Sequence, residues 1–409
     1  MASDSTLPDE GQGVITRPKG FRAAGVHCGL KSVAGRPDVG LLVADEPAAA
    51  AGAFTTNRIC SAAVVISRKR LVSGRLRGVV VNAGNANACT GERGYADALR
   101  MTELAAEATG GKPEEFAVAS TGIIGHPLPM KKVETGIASA AAKLSGDRAA
   151  GVEFSRAICT TDRWLKESVR TVKLGGAEVT VAGTAKGAGM ISPKMATLLA
   201  FVTTDAAIEP ALLQQLTSAA VETTFNRTTV DGDMSTNDTI IVLASGLAGN
   251  KALRAGSREA ATFGKALEEV CLDLARSMAR DGEGATKLVT VHVSGAADDD
   301  EAELAARRIC NSPLVKMAMC GCDPNWGRII AAAGATGIRM EESRTVLRIG
   351  GEVIFDRGVP KAPTKTILEH MKSDAVEVAL DLGLGAGSSV MYTCDFGHPY
   401  VTLNADYHT

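Results

Sequence analysis

Apolar residues recur along the chain in short runs and in alternation with polar ones, which is the pattern of β-strands. Such runs occupy positions 64–67, 78–81, 178–183, 239–244, 288–293, 345–349 and 376–381. Gly350 and Gly351 separate the run at 345–349 from another apolar stretch at 352–355, which predicts a hairpin. The sequence therefore predicts many strands, several of them paired with a neighbour in the chain.

Three other segments repeat their apolar residues at helical spacing, namely 96–109, 210–223 and 258–279. The third places an apolar stripe on one face, formed by Phe263, Leu267, Val270, Leu274 and Met278. Ser257 precedes this helix as a candidate N-cap, and Gly110 follows the first helix as a stop signal.

The fold class that these elements predict is α/β, in the broad sense that includes α+β. Strands and helices alternate without a strict βαβ order, so we expect a layered sandwich. The 44 glycines concentrate where strands meet loops, and there backbone amides can approach a ligand closely. No linker marks a domain boundary, and we expect the boundary near 283–300.

Charge and composition favour small-molecule chemistry. The 409 residues include 44 basic and 46 acidic ones, a formal net charge of -2, so no overall field attracts nucleic acid or an anionic membrane. No apolar stretch approaches the roughly 20 residues of a membrane helix. Residues 1–20 are polar and the nine cysteines are scattered and odd in number, so we expect a cytoplasmic protein without a secretory signal and with free thiols.

The segment 186–202 carries the most informative chemistry. A predicted strand leads into a glycine loop, and Ala196 and Thr197 then open an apolar run. An N-to-O acyl shift at the Ala196–Thr197 bond, followed by hydrolysis, would free the α-amine of Thr197. The reference pKa of an α-amine is about 7.7–8.0, so this amine could act as the base for its own hydroxyl. Spacing alone favours the alternative in which Thr197 only begins a strand or caps a helix.

Four further residues are candidates for binding and stabilisation. Thr121 and Gly122 follow a short apolar run, and their hydroxyl and amide could hold an oxyanion, although such pairs also form ordinary turns. Glu283 lies between two glycines, where it could bind a substrate ammonium group or be a solvated loop acid. Lys186 precedes the glycine loop and could pair with a substrate carboxylate or simply be exposed.

The sequence gives little support for a metal or a nucleotide cofactor. Cys320 and Cys322 lack a second ligand pair at zinc-site spacing, so we favour a structured turn there. Gly187 and Gly189 lack the phosphate-loop pattern that ends in Lys and Ser or Thr.

Seven segments, in order along the chain, resemble signatures of the ornithine acetyltransferases, also called glutamate N-acetyltransferases, of arginine biosynthesis. These segments are 82–91, 120–125, 186–197, 230–233, 235–238, 321–328 and 404–409. The resemblance implies a precursor that cleaves itself before Thr197, into an α chain of residues 1–196 and a β chain of residues 197–409. It implies that the chains stay together, as α2β2, in a layered sandwich similar to the N-terminal-nucleophile hydrolase architecture but of distinct topology.

The same resemblance implies the reaction and the residues that carry it. Thr197 accepts the acetyl group of N-acetylornithine and passes it to glutamate, while Thr121 and Gly122 hold the oxyanion. The implied substrate contacts are Thr160 or Thr161, Lys186, Thr197, Glu283, Asn404 and Thr409. No metal or organic cofactor is implied, and acetyl-CoA as a second donor is left open.

Three alternatives stand beside this interpretation. An amidohydrolase or aminopeptidase with the same nucleophile would use water as the acceptor. A relative in secondary metabolism would use another acceptor, and the run Arg163, Trp164 and Leu165 departs from the family pattern beside Thr160 and Thr161. A non-catalytic protein would bind a small molecule, or a metal at Cys320 and Cys322.

Overall fold

A computed structural model of the chain describes residues 11–31, 33, 35–192 and 198–406. Ala196, Thr197 and Thr409 lie outside the described residues, so their predicted roles, and the predicted cleavage before Thr197, stay predictions.

Eight strands of the described residues form the larger sheet. They are β1 (Phe21–Val26), β2 (Val39–Phe54), β3 (Arg75–Asn85), β4 (Phe116–Ile123), β5 (Lys166–Leu174), β6 (Ala177–Lys186), β7 (Leu199–Thr204) and β8 (Thr239–Ala244). Their order is β4-β3-β2-β8-β7-β6-β5, and β1 pairs with β2. The β3–β4 and β7–β8 pairs are parallel, and the other pairs are antiparallel.

A second sheet of six described strands follows, in the order β12-β11-β10-β13-β9-β14. Its strands are β9 (Leu288–Ala296), β10 (Val346–Ile349), β11 (Glu352–Asp356), β12 (Val359–Pro360), β13 (Ala375–Asp381) and β14 (Gly387–Cys394). The antiparallel β10–β11 pair turns at Gly350 and Gly351, which confirms the predicted hairpin.

The described α-helices lie between and beside these strands. They are α1 (Ala62–Arg70), α2 (Gly91–Thr109), α3 (Met130–Ala142), α4 (Arg148–Ile158), α5 (Pro210–Thr223), α6 (Arg258–Arg280), α7 (Asp299–Cys310), α8 (Pro313–Cys320), α9 (Trp326–Gly334), α10 (Lys365–His370) and α11 (His398–Asp406). None of the helices in the described ranges combines the length and the apolar character that crossing a membrane requires.

Both faces of the larger sheet are covered, which explains why its central strands β7 and β8 are buried at every position. Along β7, Ala200 and Val202 contribute to a core with α5 and α6. The alternate residues Leu199 and Phe201 contribute to a core with α4 on the opposite face. The second sheet forms its own core with α7 to α10. This arrangement confirms the predicted layered α/β fold.

Helix α6 shows how closely local signals determine an element. Its N-terminus is capped by the Ser257 side chain, which accepts a hydrogen bond from the backbone N–H of Ala260, as the sequence predicted. Ten of its residues are buried on one face against the larger sheet and α5. Because the apolar stripe repeats over six turns, both the type and the extent of this element could be predicted.

The prediction of a strand at 64–67 is wrong, because this run lies inside α1. The Ser61 side chain caps the helix by accepting a hydrogen bond from the N–H of Val64. Three basic residues occupy the last turn, where their positive charge interacts favourably with the negative end of the helix dipole. A four-residue apolar run fits a buried strand and a buried helix equally well, so only the flanking residues could decide.

Candidate active site

One pocket collects seven of the residues that the sequence singled out. These are Thr121, Gly122, Thr160, Thr161, Lys186, Glu283 and Asn404. They come from the end of β4, the loop after α4, the end of β6, the loop after α6, and α11. Segments that are far apart in the chain therefore meet at a single site.

The end of β4 forms one wall of the pocket. Gly122 has a φ of +130°, and a Cβ at this position would lie 2.3 Å from the carbonyl carbon of Gly84 on β3. Only glycine fits, because the two backbones approach each other too closely for a side chain. Thr121, which is 3% exposed, and Gly122 both belong to β4, so they do not form the ordinary turn that was the alternative to an oxyanion site. The close packing fixes both residues in the pocket wall.

Glu283 joins two of the segments that form the pocket. Its Oε1 accepts a hydrogen bond from the Thr161 hydroxyl at 2.8 Å, and its Oε2 accepts one from the Asn404 side-chain amide at 2.9 Å. Its backbone N–H donates to the carbonyl of Ala188 at 2.8 Å. A Cβ at Gly189 would lie 2.6 Å from Glu283 Cδ, so glycine at 189 lets the carboxylate approach the loop. Glu283 is thus an anion in the pocket wall and not a solvated loop acid.

A buried ion cluster lies behind the Thr160–Thr161 loop. The ammonium of Lys166, with a fully buried side chain, contacts Asp162 Oδ1 at 2.5 Å and Asp281 Oδ2 at 2.6 Å. Burial disfavours ionisation of Asp162, but the positive charges of Lys166 and Lys186 outweigh it and lower the pKa of Asp162 to about 2. Burial and the neighbouring Asp162 charge raise the pKa of Asp281, in spite of Lys166. The cluster is held together by the single ammonium between two carboxylates.

Asp162 also connects the backbone of two pocket segments. It accepts hydrogen bonds from the N–H of Thr160 at 2.9 Å and from the N–H of Gly187 at 2.8 Å. The loop that carries Thr160 and Thr161 is therefore fixed against the glycine loop that follows Lys186.

Lys186 is only 2% exposed, yet it lines the pocket. Burial lowers the pKa of its ammonium group, and the charges of Asp162 and Asp238 oppose that shift. A buried cation gains from any additional anion placed beside it. Lys186 is therefore suited to receive a substrate carboxylate.

Trp164, in the run 163–165 beside Thr160 and Thr161, lies against α6. Its indole N–H donates to the Ser277 hydroxyl at 3.0 Å, and the Arg163 guanidinium stacks over its ring at 4.9 Å from the centroid. The backbone N–H and Nε of Arg163 both donate to Asp281, at 3.0 and 2.9 Å. This run thus supports the ion cluster and faces α6.

The described residues on both sides of the 193–197 segment are held by the loop before β8. Upstream, Asp231 accepts hydrogen bonds from the N–H of Met190 at 2.5 Å and of Ile191 at 2.9 Å. Burial raises the pKa of Asp231 to about 6, although these hydrogen bonds favour its charged form. Downstream, Asp238 Oδ1 accepts a hydrogen bond from the N–H of Leu198 at 3.0 Å. One loop thereby fixes both flanks of the segment that ends at Thr197.

Sequence reasoning assigned no role to several residues that line the pocket. These are Ala86, Ile124, Ala188, Gly189, Met190, Ser235, Thr236 and Asn237. For the last three a signal existed, since a run of Ser, Thr, Asn and Asp directly precedes the fully buried strand β8. Polar side chains at the mouth of a buried strand need partners, and a pocket wall supplies them.

Cys320 and Cys322 lie in a turn after α8, in which the N–H of Cys322 donates to the carbonyl of Met319 at 3.2 Å. Among the residues that the structure describes, no three His, Cys, Asp or Glu side chains come together in a group that could hold a metal ion.

Comparison with known proteins gives matches along nearly the whole chain. The family model described as the ArgJ family matches residues 22–409. An arginine biosynthesis bifunctional protein ArgJ from Bacillus halodurans has a crystal structure that aligns with a TM-score of 0.49 at 44% identity, over 51% of this chain and 98% of that chain. The curated protein of that name from Symbiobacterium thermophilum is 46% identical over 97% of this chain and 99% of its own length. The one from Geobacter sulfurreducens is 47% identical over 96% and 99%.

Proposed function

Since the chain belongs to the ArgJ family and is an acetyltransferase of arginine biosynthesis, we propose that it moves the acetyl group from N-acetylornithine to glutamate through an acetyl ester on Thr197. The observation that carries this proposal is the meeting, in one pocket, of a candidate oxyanion wall, a carboxylate and a buried ammonium group. These are the groups that an N-acetylated amino acid requires.

The first half-reaction needs a nucleophile, a base and a place for negative charge. The freed α-amine of Thr197 takes the proton of the Thr197 hydroxyl, whose oxygen bonds to the acetyl carbonyl carbon. Negative charge then develops on the carbonyl oxygen, where Thr121 and Gly122 stabilise it. The bond from that carbon to the ornithine nitrogen breaks, and the nitrogen takes the proton from the amine, which releases ornithine.

The second half-reaction runs the same steps with glutamate. Its amine bonds to the acetyl carbon, the ester bond to Thr197 Oγ breaks, and the hydroxyl regains a proton. Glu283 would bind the ammonium group of the ornithine side chain, and Lys186 would bind the α-carboxylate that both substrates share. Each charge of N-acetylornithine then meets an opposite charge in the pocket wall.

Cleavage of the Ala196–Thr197 bond is part of the proposal, because an acylated nitrogen cannot act as the base. The strand topology supports products that stay together. Strands β6 and β7 lie on either side of the cleavage position and pair along their length, with Lys186 opposite Leu199. The chains 1–196 and 197–409 would thus share one sheet, and we propose that two such pairs assemble as α2β2.

Two further parts of the proposal concern the donor and the compartment. The relatives are named bifunctional, which supports acetyl-CoA as a second donor for glutamate acetylation. All nine cysteines are free thiols, which supports a reducing compartment, and we propose the cytoplasm.

Release of ornithine from N-acetylornithine, with and without glutamate, tests the reaction class. A transferase releases one equivalent of ornithine per site and then requires glutamate, whereas an amidohydrolase releases ornithine continuously. An assay that contains acetyl-CoA and glutamate but no N-acetylornithine tests acetyl-CoA as the second donor. Sustained ornithine release without any acceptor would show that water is the acceptor and would overturn the proposal.

A further inference from the structure

We propose that the adjacent residues Asn237 and Asp238 are the positioning element of the active site, which sets the spacing between the Thr197 nucleophile and the oxyanion wall. This inference rests on the proposed function, since it assumes that Thr197 and the end of β4 act together. Both residues lie in the polar run before β8, and both are nearly inaccessible, at 4% and 0% exposure.

Asn237 holds the oxyanion side. Its side-chain amide donates hydrogen bonds to the carbonyl of Ser120 at 2.8 Å and to the carbonyl of Ala86 at 2.7 Å. Ser120 directly precedes Thr121, and Ala86 lines the same pocket. One amide group therefore fixes the end of β4 against the loop that follows β3.

Asp238 holds the nucleophile side. Its Oδ1 accepts the hydrogen bond from the N–H of Leu198 at 3.0 Å, and that nitrogen is covalently bound to Thr197. In addition, the N–H of Thr239 donates to the carbonyl of Leu198 at 3.1 Å. Both polar groups of the Leu198 backbone are thus held by two consecutive residues at the start of β8.

The two contacts come from neighbouring residues of one short backbone segment. A peptide unit fixes the distance between neighbouring Cα atoms at about 3.8 Å. Hence the anchor of the oxyanion wall and the anchor of the nucleophile cannot shift independently. The chemical consequence matters, since a displacement of about 1 Å between reacting groups can cost roughly 100-fold in rate.

The role of Asp238 is to accept a hydrogen bond, and it differs from that of a carboxylate in a salt bridge. Its Oδ2 is buried and has no hydrogen-bond partner, counted over the described part of the chain. Burial raises the pKa of its carboxyl well above the usual range, although the hydrogen bond from Leu198, the charge of Lys186 and the nearby hydroxyls of Thr55 and Ser235 oppose this. The Leu198 hydrogen bond requires only an acceptor at Oδ1, which the carboxyl group supplies in either protonation state. A carboxamide of the same shape should therefore replace it.

The test is the rate of acylation per competent site in fully cleaved protein. N-acetylornithine is mixed rapidly with enzyme, the amplitude of the first ornithine release counts the active sites, and the rate constant reports positioning. We expect Asn237→Ala and Asp238→Ala to slow acylation by about 100-fold at nearly unchanged KM. We expect Asp238→Asn to stay within about threefold of the wild-type rate, because its amide oxygen keeps the hydrogen bond.

Two matched variants separate positioning from stability. Both substituted residues are buried and lie outside the residues that line the pocket. Asp205, which is 2% exposed, accepts a hydrogen bond from the N–H of Thr180 at 2.8 Å. Asn250, which is 8% exposed, accepts one from the N–H of Ala207 at 2.9 Å. Asp205→Ala and Asn250→Ala should lower the number of folded molecules and leave the rate per titrated site unchanged. If the Ala variants at 237 and 238 do not fold, Asp238→Glu, which displaces the acceptor oxygen, should slow acylation more than tenfold.

The outcomes separate this inference from the function beneath it. The positioning role would be overturned if Asp238→Ala and Asn237→Ala acylate at the wild-type rate per site, or if Asp238→Glu does so when those variants do not fold. The proposed function would then still stand, because it depends on the acetyl-enzyme that the wild type forms. If wild-type enzyme shows no first release of ornithine and no acetyl-enzyme, the proposed function and this inference both fall. A loss in Asp238→Asn equal to that in Asp238→Ala would show that an acceptor at Oδ1 is not sufficient, and would also overturn the role described here.

Discussion

The Glu283 carboxylate accepts a hydrogen bond from the Thr161 hydroxyl at 2.8 Å, and this contact joins loops that lie 122 positions apart in the chain. The Asn404 amide donates to the other carboxylate oxygen at 2.9 Å. Three pocket segments thus converge on one anion. That anion is the group from which the binding of a substrate ammonium can be tested.

Glu283→Gln removes this charge with little change of shape. The carboxamide can still bond to Thr161 and Asn404, so the pocket should keep its form. We expect kcat/KM for N-acetylornithine to fall by about 10- to 150-fold, which corresponds to about 1.5–3 kcal/mol for a hydrogen bond to a charged group, mainly through KM. Steady-state kinetics on cleaved enzyme measures the effect.

The control for this variant is Glu268→Gln. Glu268 also accepts a hydrogen bond from a threonine hydroxyl, that of Thr223 at 2.7 Å, but between α5 and α6. Its substitution should leave both kinetic constants near wild type. Equal kinetics for Glu283→Gln and wild type would remove Glu283 from substrate binding.

Two substitutions of Thr121 separate the effect of its hydroxyl group from the effect of its side-chain volume. Thr121→Val keeps the volume and loses the donor, so acylation should slow by about 10²–10³-fold if the hydroxyl supplies a normal oxyanion hydrogen bond. Thr121→Ser keeps the donor and should retain most of the rate. Pre-steady-state ornithine release gives both values, and a Val variant as fast as the Ser variant would leave no role for the hydroxyl.

The buried cluster predicts a large loss of stability in Lys166→Met. Without the ammonium, Asp162 stays buried without its ion pair and Asp281 keeps only its pair with Arg163, so the free energy of unfolding at pH 7 should fall by about 3–5 kcal/mol. Urea denaturation measures this loss. Lys361→Met, which breaks an exposed pair with Asp356, is the control and should shift the midpoint little.

The pH dependence of the same cluster has a definite sign. The pKa of Asp162 is about 2 in the folded chain and 3.8 in its ordinary state, so its charge stabilises the fold above about pH 4. This contribution should be lost as the pH falls from about 4 to about 2. In Lys166→Met, protonation instead removes the buried charge of Asp162 that has lost its ion pair, so the difference from wild type should shrink on acidification. A difference that grows towards low pH would contradict the assigned charges.

Strong local periodicity explains which parts of the fold could be predicted from the sequence. The segments 210–223 and 239–244 correspond to α5 and β8, because a long amphipathic repeat and a run of five consecutive apolar residues leave few alternatives. The run at 64–67 was assigned to a strand, since the decisive Ser61 cap lies outside it. Elements with short patterns depend on their neighbours.

The pocket could be predicted only in part, for a different reason. Thr121, Lys186 and Glu283 were chosen because glycines beside them allow close approach to a ligand, and the structure brings all three together. Asn237 and Asp238 were not chosen, because their partners Ser120 and Leu198 are distant in the chain. Contacts of that kind follow from the topology of the sheet, which local pattern does not specify.

Self-cleavage is tested by the size and the N-terminal sequence of the chains in purified protein. Purified protein should separate into two fragments of nearly equal length, and the second should begin with Thr197, Leu198 and Leu199. Thr197→Ala removes the attacking hydroxyl and should remain a single chain. N-terminal sequencing that finds active, uncleaved enzyme would contradict the role of the α-amine as the base.

The most direct test of the central claim is the site of the acetyl group. Cleaved enzyme is supplied with N-acetylornithine without glutamate, quenched in acid and mapped by mass spectrometry. The account predicts a gain of ~42 Da on the chain that begins with Thr197, at about one acetyl group per site, on the peptide that contains Thr197, and loss of that label when glutamate is added. A label on Cys89 or Cys320 instead, or transfer that requires both substrates together and leaves no acetylated enzyme, would contradict it.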